Sequence, residues 1–317
     1  MEQIRGRFAP SPTGRMHLGN AFCALLAWLS VRSQGGKLLL RMEDLDPQRS
    51  RESYARVLME DLLWLGLDWD EGAGICGERE GEYWQSRRGK EYEKALGLLE
   101  GKGLLYPCFC TRAELHAAQA PHASDGRVVY NGCCRKLTKQ EKLEREKHRR
   151  PAIRICVPEE MISFTDGCRG AYGENLARDC GDFILRRSDG GFAYQLAVTW
   201  DDGVMGVNQV VRGSDLLSST PRQIWLQQLW GFEQPQYYHV PLLLAPDGRR
   251  LSKRDRDLDL GMLRKRIGPE ELVGKLAFWA GILPKEEPVS PGELTPLFAW
   301  EKVKKQDVLL DGSMLEF

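Results

Sequence analysis

Arg7-Phe8-Ala9-Pro10-Ser11-Pro12-Thr13-Gly14-Arg15-Met16-His17-Leu18-Gly19-Asn20 runs a short strand into a Gly/Pro-rich turn, an imidazole and the small-residue start of a helix. Such a junction suits a nucleotide phosphate. The turn frees backbone N–H groups, and the helix that follows, with the apolar run Ala21-Phe22-Cys23-Ala24-Leu25-Leu26, aims its positive dipole end at any anion placed there. His17, one turn upstream, can add a donor. Because turns of this kind also serve as plain structural caps, the motif needs a partner elsewhere in the chain. The polar, glycine-led loop Gly248-Arg249-Arg250-Leu251-Ser252-Lys253-Arg254-Asp255 is the candidate, with Ser252 and Lys253 at its centre.

Outward from the turn the pattern alternates as α/β. A helix over about 20–33 is followed by the apolar strand Lys37-Leu38-Leu39-Leu40-Arg41-Met42, which Glu43-Asp44-Leu45-Asp46-Pro47 closes with carboxylates. In an open parallel sheet, ligands bind beyond the carboxyl ends of strands, where these acids fall. Tyr54, Val57, Leu58, Asp61, Leu62 and Leu65 recur at helical spacing up to Gly66, which predicts a crossover helix. A second helix spans about 86–102. The alternation breaks at Tyr106-Pro107-Cys108, and Phe183-Ile184-Leu185-Arg186-Arg187 is read as the return of the main sheet. Further strands are expected over 192–198, 208–213 and 238–244, with helices over 220–230 and about 269–280. The expected division is 1–104 and 181–260 as two halves of a nucleotide-binding domain, 105–180 as an insertion, and 261–317 as a short, mainly helical region.

Nine cysteines without a secretory-type segment argue for thiols that are buried, reactive or metal-bound. Cys108 and Cys110 are spaced to grip one ion, with Tyr130 and Cys133-Cys134 about twenty residues on. Structural zinc wants four donors in a tetrahedron. Cys108, Cys110, Cys133 and Cys134 are the direct chemical choice, although side chains of adjacent cysteines diverge; buried core cysteines are the plainer alternative. Two arginines at strand ends, Arg7 and Arg212, offer planar forks for a carboxylate. Glu43 offers the opposite charge for an ammonium group, and Tyr194 a hydroxyl.

The 317 residues carry 45 basic and 45 acidic side chains, so bulk charge names no nucleic-acid partner. A local patch exists. Residues 135–150 hold eight Lys/Arg against three Glu, a net charge of +5, in a stretch that also suits a solvated helix laced with ion pairs. No apolar run approaches the ~20 residues of a membrane span. A cytoplasmic location is expected, and a monomer.

The pairing of His17-Leu18-Gly19-Asn20 with Leu251-Ser252-Lys253 resembles the two signatures of class I aminoacyl-tRNA synthetases, and more narrowly their glutamyl branch. The Cys-x-Cys…Tyr-x3-Cys pattern resembles the glutamyl-Q tRNA(Asp) synthetase family, a truncated relative of that branch. The resemblance implies a Rossmann-like class I catalytic domain with an inserted zinc-bearing α+β subdomain. It implies ATP with Mg2+ at Pro10, His17, Gly19, Asn20, Ser252 and Lys253, with His17 and Lys253 catalytic. L-glutamate is implied at Arg7, Ser11, Glu43, Tyr194 and Arg212, and one structural Zn2+ on Cys108, Cys110, Tyr130 and Cys134. The implied reaction is tRNA-independent activation of glutamate to glutamyl-adenylate, then transfer to the queuosine base in the anticodon stem-loop of tRNA(Asp). The 64 residues after Lys253 are too few for the large helical anticodon-binding region of a discriminating glutamyl-tRNA synthetase. Two other readings stand beside it: a short enzyme charging the 3′ end of tRNA(Glu), and a catalytically silent zinc-containing tRNA-binding protein.

Overall fold

The computed structural model describes residues 3–75, 77–111, 114, 129–130, 132–249, 251, 258–311 and 314. Ser252 and Lys253, expected at the nucleotide, lie outside them. Five parallel strands form the main sheet: β1 (Arg5–Phe8), β2 (Lys37–Leu40), β3 (Glu71–Gly72), and later in the chain Gln209–Gly213 and Gln236–Val240. The order across the sheet is Gln236–Val240, Gln209–Gly213, β1, β2, β3. The chain therefore builds outward from β1 in one direction and then restarts on its other side. That reversal leaves a crevice at the carboxyl ends of β1 and Gln209–Gly213, where open α/β sheets take their ligands.

Helix α1 (Leu18–Arg32) leaves β1 through the phosphate-type turn and is buried along nearly its whole surface. Such a helix belongs between layers. Gly6 allows its approach, since a Cβ there would meet Val31 Cγ2 at 2.3 Å. On the far side, the helix Pro269–Ala280 contributes Leu272, Val273, Leu276 and Trp279 to the same core. Helix α2 (Glu52–Trp64) is the expected crossover. Its Asp61, which falls in step with the apolar positions, is fully buried and accepts ion pairs from Arg15 at 3.0 Å and Arg264 at 2.9 Å, tying the turn to the C-terminal region.

After α3 (Gly89–Glu100), three antiparallel strands, β4 (Leu105–Cys108), β5 (Ala152–Ile155) and Phe183–Arg186, make a separate small sheet. Phe183–Arg186 thus pairs with β5, whereas the sequence pattern placed it in the main sheet. The hairpin β6 (Met161–Asp166) and β7 (Gly170–Asn175) stands apart from both sheets. In chain order, Phe183–Arg186 is β8, Gln209–Gly213 β9 and Gln236–Val240 β10. Helix α4 (Lys139–His148) carries the basic patch and buries no residue. Among the described residues, no helix is long and apolar enough to cross a membrane.

One expected strand is a helix. Phe192-Ala193-Tyr194-Gln195-Leu196-Ala197-Val198 enters α5 (Tyr194–Val204), in which Leu196, Ala197, Trp200 and Asp201 are buried. A short apolar run does not distinguish strand from helix by itself. The deciding contacts are distant: Asp201 and Asp202 close buried ion pairs with Arg88 and Arg41. Helix α6 (Thr220–Trp230) matches its expected span.

Candidate active site

A cavity of about 420 Å3 opens at the sheet reversal, and Arg7, Pro10, Ser11, His17, Gly19, Asn20, Glu43, Tyr194 and Arg212 all line it. Strand geometry explains the convergence, because β1, β2 and β9 are parallel and end at one edge, each delivering its charged residue there.

The anionic side of any ligand meets two buried arginines. Arg7 donates from Nη1 to the Val211 carbonyl at 3.1 Å and faces Asp202 Oδ2 at 3.5 Å. Arg212 donates from Nε to His239 Nε2 at 3.0 Å and from Nη2 to Thr220 Oγ1 at 2.8 Å. Its Nη1 is buried and has no hydrogen-bond partner among the described residues. A buried guanidinium N–H without an acceptor is costly unless a ligand completes it.

His239, on β10, holds this arginine. Nε2 accepts from Arg212, so the ring proton is on Nδ1, which donates to Asp166 Oδ2 at 2.6 Å. Burial, with Arg212 alongside, pushes His239 down to about 4 despite Asp166, which keeps the ring neutral. Asp166 sits at the end of β6, and the hairpin docks closely: a Cβ on Gly167 would meet the Tyr238 ring at 2.0 Å. The arginine's orientation is therefore set from outside the parallel sheet.

On the opposite wall, Arg41 is fully buried and spans three carboxylates. Its Nη2 donates to Glu43 Oε1 at 3.1 Å, Nη1 pairs with Asp202 at 2.8 Å, and Nε lies 3.9 Å from Asp201. Burial alone would lower its pKa, but Asp202, Asp201 and Glu43 raise it above the ordinary value. Asp201 is held further by Gln85 at 3.0 Å, Arg88 at 2.7 Å and the Tyr92 hydroxyl at 2.8 Å. Burial raises the Glu43 carboxyl, with Arg41 and Arg7 pulling the other way. An ammonium group beside Glu43 would favour its charged form. Burial likewise raises Tyr194 and keeps its hydroxyl protonated.

His17 caps α1. Its Nδ1 accepts the Gly19 N–H at 3.1 Å, and Asn20 Oδ1 accepts the His17 N–H at 3.3 Å. The Asn20 and Ala21 amides are committed to the His17 carbonyl. The first-turn amides that the sequence offers to an anion are thus largely spent inside the cap, and the turn presents the helix dipole and the His17 Nε2 proton. Gly19 is tight against the ring, since a Cβ would come within 3.1 Å of His17 Cε1. Leu242, Leu243 and Leu251 give the cavity an apolar end.

The cysteines converge separately. The Cys108, Cys110 and Cys134 sulfurs lie within 4.8 Å of one another. The Tyr130 hydroxyl is 3.4 Å from Cys108 Sγ and 3.8 Å from Cys110 Sγ, and accepts the Cys134 N–H at 3.0 Å. Cys133 Sγ lies 3.4 Å from both Cys110 Sγ and the Tyr130 hydroxyl. Donors around one tetrahedral zinc stand roughly 3.8 Å apart when sulfur is 2.3 Å from the metal. Five candidate donors thus fit a four-ligand site, and the arrangement suits the metal.

The family model for the catalytic domain of class I tRNA synthetases (E and Q) matches residues 3–270. The chain belongs to this family. It is a ligase of the aminoacyl-tRNA synthetase type. The synthetase is 50% identical over 319 residues to the glutamyl-Q tRNA(Asp) synthetase of Nitratidesulfovibrio vulgaris, covering 99% of this chain and 97% of that one. It is 47% identical to the protein of the same name from Symbiobacterium thermophilum, over 98% of this chain and 97% of that one. Glutamate–tRNA ligase 2 of Alkalilimnicola ehrlichii is 45% identical over 86% of this chain, which spans 58% of it. Among solved structures, a glutamate tRNA ligase from Elizabethkingia meningosepticum in complex with its amino acid superposes with a TM-score of 0.82 at 28% identity. That match covers 99% of this chain and 68% of the other.

Of the residues that shape this site, sequence reasoning missed Arg41, Asp166, Asp202 and His239. Arg41 was read only as part of its strand, and charged residues elsewhere in the chain give no sign of which are buried. Only the pairing across the fold identifies them.

Proposed function

We propose that this synthetase activates L-glutamate with ATP in the absence of RNA and transfers it to the queuosine base at the anticodon of tRNA(Asp). The observation that carries the amino-acid assignment is Arg212 Nη1, a buried donor lacking an acceptor, set opposite Glu43 and Tyr194 in one cavity. A side-chain carboxylate on Arg7 and Arg212, with the α-ammonium towards Glu43 and Ser11, satisfies both charges. The two glutamyl-Q tRNA(Asp) synthetases named above, each matched over 97% of its length, support the acceptor.

The substrate's α-carboxylate oxygen attacks the α-phosphorus of ATP, pyrophosphate leaves, and glutamyl-adenylate forms. Both reactants are anionic, so the protein's task is positioning and positive charge. The His17 Nε2 proton and the α1 dipole serve the phosphates on one side. Lys253 serves the other, and ATP enters with Mg2+. Lys253→Ala should slow glutamate-dependent ATP–pyrophosphate exchange by roughly 100- to 1000-fold with little change in ATP affinity; unchanged exchange would remove the lysine from the reaction.

One Zn2+ on Cys108, Cys110, Tyr130 and Cys134 would brace β4 against the segment that holds Cys134, a structural contribution only. Cys110→Ser should lose the metal, falling from about one zinc per chain to near none by elemental analysis. Cys133→Ser should keep it. Loss of the metal from Cys133→Ser as well would put Cys133 in place of Tyr130 in the ligand set, and full retention by Cys110→Ser would remove the proposed site.

The decisive assay is exchange without RNA, followed by mapping of the glutamylated position. Exchange without tRNA, with glutamate on the anticodon base, is the expected result. A requirement for tRNA with glutamate on the terminal ribose would make the chain a short glutamyl-tRNA synthetase. Silence with retained RNA binding would make it a binding protein.

A further inference from the structure

Arg212 sits in a closed ring of hydrogen bonds whose direction is decided from outside it. Its Nε donates to His239 Nε2 at 3.0 Å and its Nη2 to Thr220 Oγ1 at 2.8 Å, while the Thr220 hydroxyl lies 3.1 Å from the same His239 nitrogen. The other reach of that hydroxyl, to the Leu216 carbonyl, is longer at 3.4 Å. His239 Nε2 thus faces two donors and must be unprotonated. Arg212, Thr220, His239 and Asp166 are all buried, so bulk water does not repair a misdirected bond among them.

The tautomer is chosen by the hairpin. Asp166 Oδ2 lies 2.6 Å from His239 Nδ1 and, as a carboxylate oxygen, can only accept. Oδ1 has a different task, accepting the Cys168 N–H at 2.9 Å and the Arg169 N–H at 2.8 Å, and the His239 N–H is shared between both oxygens at 3.1 Å. One oxygen holds the turn and the other the imidazole. The hairpin itself is clamped: Arg169 donates to the His239 carbonyl at 3.2 Å and pairs with Asp307 at 2.7 Å, and Tyr238, against which Gly167 packs, stacks on Trp300 with ring centroids 4.1 Å apart.

We infer that Asp166 is a positioning residue for the amino-acid arginine: its charge keeps the His239 proton on Nδ1 and thereby turns Arg212 Nη1 to the cavity. The inference rests on the glutamate-activating role proposed above. A reversed ring would set the Nε2 proton against the Arg212 Nε–H, donor against donor, and the guanidinium would have to leave its place.

Asp166→Asn tests the charge with little change of shape. The amide oxygen keeps the Oδ1 bonds to the hairpin, and the NH2 group, set against Nδ1, draws the ring proton to Nε2. In the full-length protein, kcat/KM for glutamate in RNA-free exchange should fall ~10- to 100-fold, the scale of a hydrogen bond to a charged group, with the KM for ATP within about 3-fold. Nitrogen-15 spectra of histidine-labelled protein, with His239 assigned by its loss in His239→Gln, should show the proton on Nδ1 in the original and on Nε2 in the variant.

His239→Gln puts a carbonyl oxygen near the Nε2 position, an acceptor that needs no tautomer, and should keep kcat/KM for glutamate within about 10-fold. His239→Asn, whose amide reaches only the Nδ1 position, should lose as much as Asp166→Asn. Added to His239→Gln, Asp166→Asn should cost less than about 3-fold, since the glutamine acceptor does not depend on it. An equal cost in both backgrounds would make Asp166 a structural member of the hairpin only, and an unmoved proton or an unchanged glutamate kcat/KM in Asp166→Asn also overturns the assignment. Should Asp166→Asn fail to fold, equal losses in the two His239 variants overturn it. Absence of exchange in the original protein would instead overturn glutamate activation, with the tautomer still read from the spectra.

Discussion

Arg212→Ala lowers kcat/KM for glutamate in the exchange reaction by at least ~100-fold and leaves the KM for ATP within about 3-fold. The asymmetry follows from where the side chain is anchored. His239 and Thr220 hold two edges of the guanidinium, leaving the buried Nη1 to the ligand, so alanine removes the charge that a desolvated carboxylate requires. Losing one partner of a buried ion pair costs ~3–5 kcal/mol, because the other charge remains out of water. Arg212→Lys restores the charge without the fork and should recover only part of the loss. Steady-state exchange kinetics at saturating ATP provide the check. Equal losses for glutamate and ATP would mean that Arg212 holds the sheet edge together and has no special relation to the amino acid.

The second large effect concerns stability. Arg41→Met destabilises the folded protein by ~3–5 kcal/mol, measured by urea unfolding, since three carboxylates around a fully buried position lose their common counter-charge. The Glu43 carboxyl should then be raised further, because burial already raises it and Arg41 is the largest opposing influence. Glutamate binding should weaken with it. A loss below 1 kcal/mol would show that water or rearrangement compensates the charges and that the network is not what holds this wall.

Much of this could be read before the fold was known. The turn from Arg7 to Asn20 places a strand, a cap and a helix in order, and the parallel sheet then carries Arg7, Glu43 and Arg212 to one edge whatever the lengths between them. The helices Thr220–Trp230 and Pro269–Ala280 were legible in the sequence, with Pro at the start of each and Gly231 and Gly281 at their ends. What stayed hidden depended on contacts between residues far apart in the chain. Tyr194–Val204 is a helix because Asp201 and Asp202 reach Arg88 and Arg41, and nothing local announces that these acids are buried. Phe183–Arg186 has the composition of a main-sheet strand, but β5 takes it first. His239 looks like an ordinary strand residue until Asp166 of the hairpin and Arg212 of β9 are found on its two nitrogens. The apparent offer of helix amides at Gly19 and Asn20 failed for the opposite reason, a local one: His17 takes them for itself.

The central claim is that the crevice between β1 and β9 binds glutamate by its side-chain carboxylate. A crystal structure of the protein soaked with L-glutamate tests it most directly. The account requires the γ-carboxylate within hydrogen-bond distance of Arg212 Nη1, with the ammonium beside Glu43. Glutamate bound in the reverse sense, or lodged away from both arginines, would contradict it.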